Sequence, residues 1–185
     1  MKNLSYDEIA ILVALEEELP RETLPNHKIY YSGVGKINAT YKTLEIINNQ
    51  NPSLIINYGT AGSLNKSLKG LQEVSEFIQR DMDATELGFK VGETPLDKIF
   101  NISFGRDGVS CGTGDNFVNS KPTIMTDLVD MEAYAIAKIC KLKKLEFICF
   151  KYITDSADAN SSLNWKENVG SGKYAFKQKV SELLK

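Results

Sequence analysis

The stretch that decides the fold is FICFKYITDSAD, at residues 147–158. Its first four residues are apolar, which is typical of a strand covered on both faces of a sheet. The strand leads into Thr154-Asp155, so it delivers a carboxylic acid to the carboxyl edge of the sheet. Open α/β proteins bind their ligands at this edge, and a carboxyl group held there can act as a proton donor. The local sequence explains Asp155 equally well as a cap on the next turn or helix.

Two other apolar runs also end in polar residues. Residues 9–18 (IAILVALEEE) predict a strand that runs into three acids, and residues 54–63 (LIINYGTAGS) predict a strand that ends in a glycine-rich turn. Residues 130–137 (DMEAYAIA) place an acid at the start of an alanine-rich helix. Shorter apolar patterns predict further elements, namely strands at 29–31, 74–78 and 109–111 and helices at 36–49 and 169–184.

This alternation of strands and helices predicts an α/β fold. We expect a three-layer sandwich in which helices flank a central, mostly parallel or mixed twisted sheet. A chain of 185 residues with 42% hydrophobic content has enough apolar material for one core. We therefore expect a single domain over residues 1–185.

The composition argues against several classes of partner and cofactor. A net charge of −2 and the absence of any lysine/arginine run argue against nucleic-acid binding. No apolar stretch approaches the roughly 20 residues that span a bilayer, so we expect no membrane partner. The three cysteines lack metal-ligand spacing and the only histidine, His27, lies in a polar stretch, so we expect neither a metal site nor a cofactor. Cysteines of this kind are typical of a cytoplasmic protein.

Six segments together resemble a known family. The four stretches quoted above, with VGK at residues 34–36 and CGTGDNF at residues 111–117, are similar in order to the purine nucleoside phosphorylase/nucleosidase superfamily. Within it, the chain most resembles the bacterial 5'-methylthioadenosine/S-adenosylhomocysteine nucleosidases, from Ile9 to about Trp165. The resemblance implies a nucleoside phosphorylase-like fold, a homodimer, and hydrolysis of the N-glycosidic bond of a small purine nucleoside to adenine and the thioribose. Segments 19–28 and 90–108 are shorter than such nucleosidases have, which we expect to trim a hairpin and an element near the pocket or the dimer contact.

The resemblance assigns catalytic roles to three acids. Asp155 would protonate N7 of the purine, and Glu18 would polarise the attacking water. Glu132 would accept hydrogen bonds from the ribose hydroxyls, which strengthen as the ribose becomes cationic. Without the resemblance, Glu18 and the two acids before it would be a solvated helix start, and Glu132 an acid at a helix amino terminus.

Substrate-binding residues follow from the same resemblance. Thr60 stands where the family has a serine that holds the water, and Lys151 stands where it has an arginine, although a lysine lacks the bidentate fork. Packing alone would explain Phe117 or Trp165 equally well. The expected contacts are a stack of Phe117 on the purine, the Val118 backbone on its Watson–Crick edge, Thr154 beside the catalytic acid, Met131 beneath the ribose, Leu15, Val34 and Trp165 over the ribose and its 5' substituent, and Leu87 from a partner subunit.

Hydrolysis and phosphorolysis both occur on this fold, so the two must be weighed. A phosphorolytic site needs cationic donors for phosphate, typically arginines. Here Asn57 takes the place of one such arginine, and acids occupy the amino-terminal loop where another would lie. We therefore expect a hydrolase. A hydrolase of futalosine or of another purine nucleoside, a phosphorylase, and a non-catalytic nucleoside-binding homologue remain alternatives.

Overall fold

Within residues 4–184, which the computed structural model describes, the chain forms eight strands and four α-helices. In chain order they are β1 (Ile9–Val13), β2 (Lys28–Tyr31), α1 (Lys36–Gln50), β3 (Leu54–Ser63), β4 (Leu71–Gln79), β5 (Asn101–Ser103), β6 (Val109–Thr113), β7 (Leu128–Asp130), α2 (Ala133–Lys143), β8 (Glu146–Asp155), α3 (Ser161–Asn168) and α4 (Lys173–Leu183). The mixture of helices and strands confirms the α/β class.

Two strands are longer than the sequence indicates. β3 continues through residues 59–63, which we expected to form a turn, and β8 continues through Asp155, which we expected on the following loop. The two strands pair in parallel over almost their whole length, from Leu54 opposite Glu146 to Gly62 opposite Asp155. This pairing satisfies the backbone N–H and C=O groups of residues whose sequence alone does not predict a strand.

The central sheet is mixed, as expected, but five of its strands close into a ring, so the fold is not a plain three-layer sandwich. β3 pairs with β8 and β7, β7 with β6, β6 with β4, and β4 again with β8. These five strands form a ring, with β1 and β2 added in parallel beside β3 and with β5 added beside β4. The pairing register shifts after Ala61 in β3 and after Val74 in β4. Such irregularities bend and twist a strand, which allows a mixed sheet to close.

Helices cover the sheet from two sides, as expected of an α/β fold. One hydrophobic core contains Ala10 and Leu12 of β1 with Ile46 of α1 and the buried face of α2. A second core contains the alternate residues of β1 with Phe176 and Val180 of α4. The strand is therefore buried on both faces, which explains its unbroken apolar sequence.

The two shortened segments are simple connections. Residues 19–28 carry one 3-10 turn, at Arg21–Thr23, and connect the parallel strands β1 and β2 without a helix. Residues 90–108 contribute only β5, which pairs with β4. None of the helices in residues 4–184 is long and apolar enough to cross a membrane.

Candidate active site

A cavity of about 310 Å³ lies where the strands end. Every strand except β5 supplies a residue to its wall, at or just after its carboxyl end or, for β3, within its second half. The wall is formed by Ala14, Leu15, Glu18, Val34, Thr60, Ala61, Gly62, Arg80, Asn116, Phe117, Val118, Val129, Asp130, Met131, Glu132, Thr154, Asp155, Ser161 and Trp165. The structure thus brings together at one site the polar ends of the apolar runs.

Glu18 is buried and held by three donors. One carboxylate oxygen accepts hydrogen bonds from the Thr60 backbone N–H at 2.8 Å and from the Thr60 hydroxyl at 2.7 Å. The other oxygen accepts the Leu15 N–H at 3.1 Å. Only 4% of Glu18 is exposed, so this is not the solvated helix start that the run of acids suggests by itself. A carboxylate fixed in this way presents its remaining lone pairs to the cavity.

Lys151 does not line the cavity. Its Nζ lies 2.8 Å from the Asp130 carboxylate, and both side chains are completely buried. Asp130 also accepts hydrogen bonds from the Thr113 hydroxyl at 2.5 Å and from the Ala133 N–H at 2.8 Å, so it caps the start of α2. Burial alone would lower the pKa of Lys151, but the adjacent Asp130 carboxylate raises that pKa well above its usual value. The structure therefore places Lys151 in an ion pair behind the cavity wall and not on the wall itself.

The Lys151 ammonium group lies behind Glu18. A methyl group on Gly59 would lie 3.1 Å from the Lys151 Nζ and 3.4 Å from the Glu18 carboxylate. The absence of a side chain at Gly59 thus allows the cation and the acid to approach the same backbone position. The ion pair supports the wall of the site from the protein interior.

Glu132 is the N-cap residue of α2 and faces the cavity. One carboxylate oxygen accepts the Gly35 N–H at 2.9 Å, which ties the loop after β2 to this acid. Gly35 has a φ of 96°, a left-handed conformation that side chains disfavour. Burial raises the pKa of Glu132 to about 7, and the neighbouring Asp130 charge adds to this shift while Lys151 opposes it.

Asp155 is the last residue of β8, and its side chain is fixed from two directions. One oxygen accepts the Thr154 hydroxyl at 2.9 Å, and the other accepts the Ala157 N–H at 2.9 Å. A methyl group on Gly62 would lie 2.7 Å from the Asp155 carboxylate, so the glycine makes room for the acid. Asp155 therefore does cap the following turn, and it faces the cavity at the same time.

Phe117 and Val118 lie on the loop after β6, and Val118 packs with Ala157, two residues after Asp155. Half of Phe117 is exposed, whereas Val118 is buried. Arg80, directly after β4, holds this loop: its guanidinium donates to the Asn116 carbonyl at 2.5 Å, to the Gly114 carbonyl at 3.1 Å and to the Asn116 side chain at 2.9 Å. Three of the five donors of this side chain are thus used within the protein, and its buried Nε has no partner among residues 4–184.

Trp165, on α3, makes two contacts in the cavity wall. Its ring packs edge-on against Phe117, with centroids 6.3 Å apart. Its indole N–H donates to the Thr60 hydroxyl at 2.9 Å. Leu15, Val34 and Met131 line the same cavity, but Leu87 is not on its wall and is largely exposed. Within residues 4–184 there is no group of three or more histidine, cysteine or acidic side chains placed to hold a metal ion.

Comparison with known proteins identifies the family. The 5'-methylthioadenosine/S-adenosylhomocysteine nucleosidase of Staphylococcus haemolyticus (strain JCSC1435) is 30% identical to this chain, and the match covers 83% of this chain and 79% of that protein. The chain belongs to this nucleosidase family. No profile of a protein family matches it.

Solved structures share the nucleosidase fold. The enzyme of Neisseria meningitidis, in complex with methylthio-immucillin-A, superposes with a TM-score of 0.82 at 25% identity and covers 95% of this chain and 97% of that one. The enzyme of Helicobacter pylori superposes with a TM-score of 0.86 at 22% identity, again over 95% and 97% of the two chains. At the latter identity the likeness concerns the fold alone.

Most of the site residues predicted from the sequence lie on the wall of this nucleosidase cavity. Each residue assigned from the resemblance lies on the wall except Lys151 and the partner-subunit candidate Leu87. Arg80 and Asn116 were missed, although Arg80 follows a predicted strand and that position is a signal for a site residue. The polar contact of Trp165 was also missed, because an isolated tryptophan reads as an apolar side chain.

Proposed function

We propose that this chain hydrolyses the N-glycosidic bond of 5'-methylthioadenosine and S-adenosylhomocysteine, releasing adenine and the thioribose. The observation that carries the proposal is that Glu18, Glu132 and Asp155 lie on one cavity, each held by different donors. Membership of the nucleosidase family supports the same reaction. Cleavage of this bond needs a better leaving group and a nucleophile at the anomeric carbon, and separate acids can supply the two.

We assign the proton on the leaving group to Asp155. Its carboxyl group would donate a proton to N7 of adenine as the C–N bond breaks, and the ribosyl group would become oxocarbenium-like. The Thr154 hydroxyl and the Ala157 N–H keep both oxygens in place during this step. Phe117 would stack on the base, and the Val118 backbone would meet its polar edge.

We assign activation of water to Glu18. The carboxylate would accept a proton from water as the water oxygen bonds to the anomeric carbon, which restores a neutral sugar. Glu132 would accept hydrogen bonds from the ribose hydroxyls, and these bonds strengthen as positive charge develops on the ring. Its ionised form is needed for this role, because a protonated carboxyl group accepts less well.

The charges around the cavity favour water over phosphate as the nucleophile. The cation nearest Glu18, Lys151, is paired with Asp130, and Arg80 donates to the loop that contains Asn116. Phosphate beside the buried Glu18 carboxylate would therefore meet a like charge. The test is incubation of the wild type with methylthioadenosine in phosphate-free buffer. Release of adenine with the free thioribose is expected, whereas phosphate-dependent turnover to a ribose 1-phosphate would refute hydrolysis.

The 5' end of the cavity determines which nucleoside is favoured. Leu15 and Val34 are apolar, and the indole N–H of Trp165 is used by Thr60. Such a wall stabilises an alkylthio group by roughly 0.8 kcal/mol per buried methylene and leaves a 5'-phosphate unpaired. We expect kcat/KM for methylthioadenosine to exceed that for adenosine by about tenfold, with AMP rejected. A preference for adenosine, or for a nucleoside with a charged 5' tail such as futalosine, would contradict this substrate and leave the hydrolase in place.

We also propose that the enzyme is a homodimer in which Leu87 reaches the cavity of the partner subunit. Leu87 is 71% exposed and lies outside the cavity of its own chain. Sedimentation equilibrium should give twice the chain mass. A monomer that retains full activity would contradict the proposal.

A further inference from the structure

We propose that Trp165 is a positioning residue for hydrolysis, because its indole N–H occupies one acceptor position of the Thr60 hydroxyl and so limits how that hydroxyl can bind the attacking water. This inference rests on the proposed function, and it assigns to Trp165 a polar role besides that of an apolar wall. Trp165 need not touch the reacting atoms, since it acts through Thr60.

Three groups form a chain of hydrogen bonds in the cavity wall. The indole N–H lies 2.9 Å from the Thr60 hydroxyl oxygen, and that oxygen lies 2.7 Å from the Glu18 carboxylate. An indole nitrogen can only donate, and an ionised carboxylate can only accept. The hydroxyl has one proton and two acceptor positions. The only consistent arrangement is that Trp165 donates to Thr60 and Thr60 donates to Glu18.

This arrangement determines what the Thr60 hydroxyl can offer to a water molecule. Its proton is directed to Glu18 and one lone pair is occupied by Trp165, so one acceptor position is left. A water between Glu18 and Thr60 would therefore donate one proton to each of them. Both protons then point to the protein, and the oxygen lone pairs point to the substrate, which is the orientation required for attack.

Without the indole N–H, the Thr60 hydroxyl can accept hydrogen bonds from more directions. A second lone pair becomes open, so water can also donate to Thr60 from the side that Trp165 occupied. The Thr60 backbone N–H would still hold Glu18, at 2.8 Å. The expected effect is a less well oriented nucleophile rather than loss of the acid or of substrate binding.

A double-mutant cycle tests the inference with matched variants. Trp165→Phe keeps an aromatic ring and removes the N–H, and Thr60→Val keeps the side-chain shape and removes the hydroxyl. With methylthioadenosine, Trp165→Phe should lower kcat by about fivefold, the size of one neutral hydrogen bond, and change KM by less than about twofold. In the Thr60→Val background the same change should alter kcat by less than about twofold. An equal loss in both backgrounds, or a change confined to KM, would overturn the inference.

A second measurement reads the hydrogen bond without turnover. Trp165 is the only tryptophan of the chain, so an ¹⁵N-labelled sample gives a single indole N–H resonance. Thr60→Val should move this resonance upfield in the proton dimension, because the indole loses its acceptor. An unchanged resonance would refute the contact whatever the kinetics show. A wild type that releases no base while Thr60→Val still moves the resonance would refute the proposed function, and with it the role in hydrolysis, but not the contact.

Discussion

The two ends of the cavity differ in how their side chains are held. At the inner end, Glu18 is 4% exposed, and it and Glu132 are bonded to backbone N–H groups. At the outer end, Phe117 is 49% and Val34 is 41% exposed, and both lie on loops. The groups that must be fixed for chemistry are thus placed at or near strand ends, whereas the groups that recognise the ligand lie on segments that can adapt.

A buried ion pair supports the inner end from the protein interior. The Lys151–Asp130 ion pair lies behind the acids, and Asp130 also binds the first N–H groups of α2, the helix that follows Glu132. A shift of this pair would therefore move Glu132 with the start of the helix. Changes at the inner end should reduce turnover or stability, and changes at the outer end should reduce affinity.

The strongest test of this contrast replaces the two acids to which we assign the proton transfers, Asp155 and Glu18. Asp155→Asn should lower kcat by about 100- to 10,000-fold, the range of general acid–base catalysis, while substrate binding falls much less. Glu18→Gln should behave similarly, because it cannot accept a proton from water. Matched controls are Asp158→Asn and Glu17→Gln, exposed acids outside the cavity wall, which should stay within about twofold of the wild type. Near wild-type turnover of Asp155→Asn would exclude this residue from the chemistry.

The ion pair behind the inner end should matter for stability. Lys151→Met would leave the buried Asp130 carboxylate without its cation, which should lower the free energy of unfolding by about 3–5 kcal/mol. Lys28→Met is the control, since Lys28 pairs with Asp7 at 2.9 Å on the surface, where a pair contributes about 0–1 kcal/mol. Urea unfolding of the two variants measures the difference. Equal effects would show that the pair does not support the inner end.

The raised pKa of Glu132 predicts a pH dependence. With a pKa of about 7 and an ionised form that binds ribose, kcat/KM should rise about tenfold between pH 6 and pH 8. The folded state holds the proton more tightly than the unfolded one, so this group also makes the free energy of unfolding fall as pH rises from 4.5 to about 7. The residual kcat/KM of Glu132→Gln should lose the rise. An unchanged profile in that variant would assign the titration to another group.

A smaller effect is expected at the outer end. Phe117→Ala should raise KM by about fivefold to tenfold through loss of stacking on the base, with kcat within about threefold of the wild type. Phe100→Ala, a comparably exposed phenylalanine outside the cavity wall, is the control and should leave both constants unchanged. A fall in kcat without a rise in KM would show that Phe117 acts in turnover and not in substrate binding.

Much of this molecule can be predicted from its sequence, because buried parallel strands require unbroken apolar runs. β1 and the first halves of β3 and β8 are clear for this reason, and so are the polar residues after them. β7, with three residues, is too short to produce a pattern. The second half of β3 contains Gly59 and Gly62, which weaken a strand signal but make room for Glu18 and Asp155.

The closure of the sheet and the hydrogen bonds of the site could not be predicted in the same way. Periodicity shows which residues are buried but not which strand pairs with which, so the contact of β8 with β4 has no signal in the sequence. The partner of Lys151 is 21 positions away, and that of the Trp165 N–H is 105 positions away. Such pairs depend on the assembled fold, and a single sequence does not reveal them.

A closed ring of strands has no free edge. We therefore expect the strands of the ring and the loops beside them to open on different timescales. Within the ring, β3 and β8 cannot leave without breaking hydrogen bonds on both sides, so their central amides should exchange with solvent only through global unfolding. The segments at 114–118 and 156–160 lie outside the ladders, so they can open without breaking the ring. Ligand can then enter and leave at the rate of loop motion, while β3 and β8, which contribute to the cavity wall, stay paired for as long as the protein is folded.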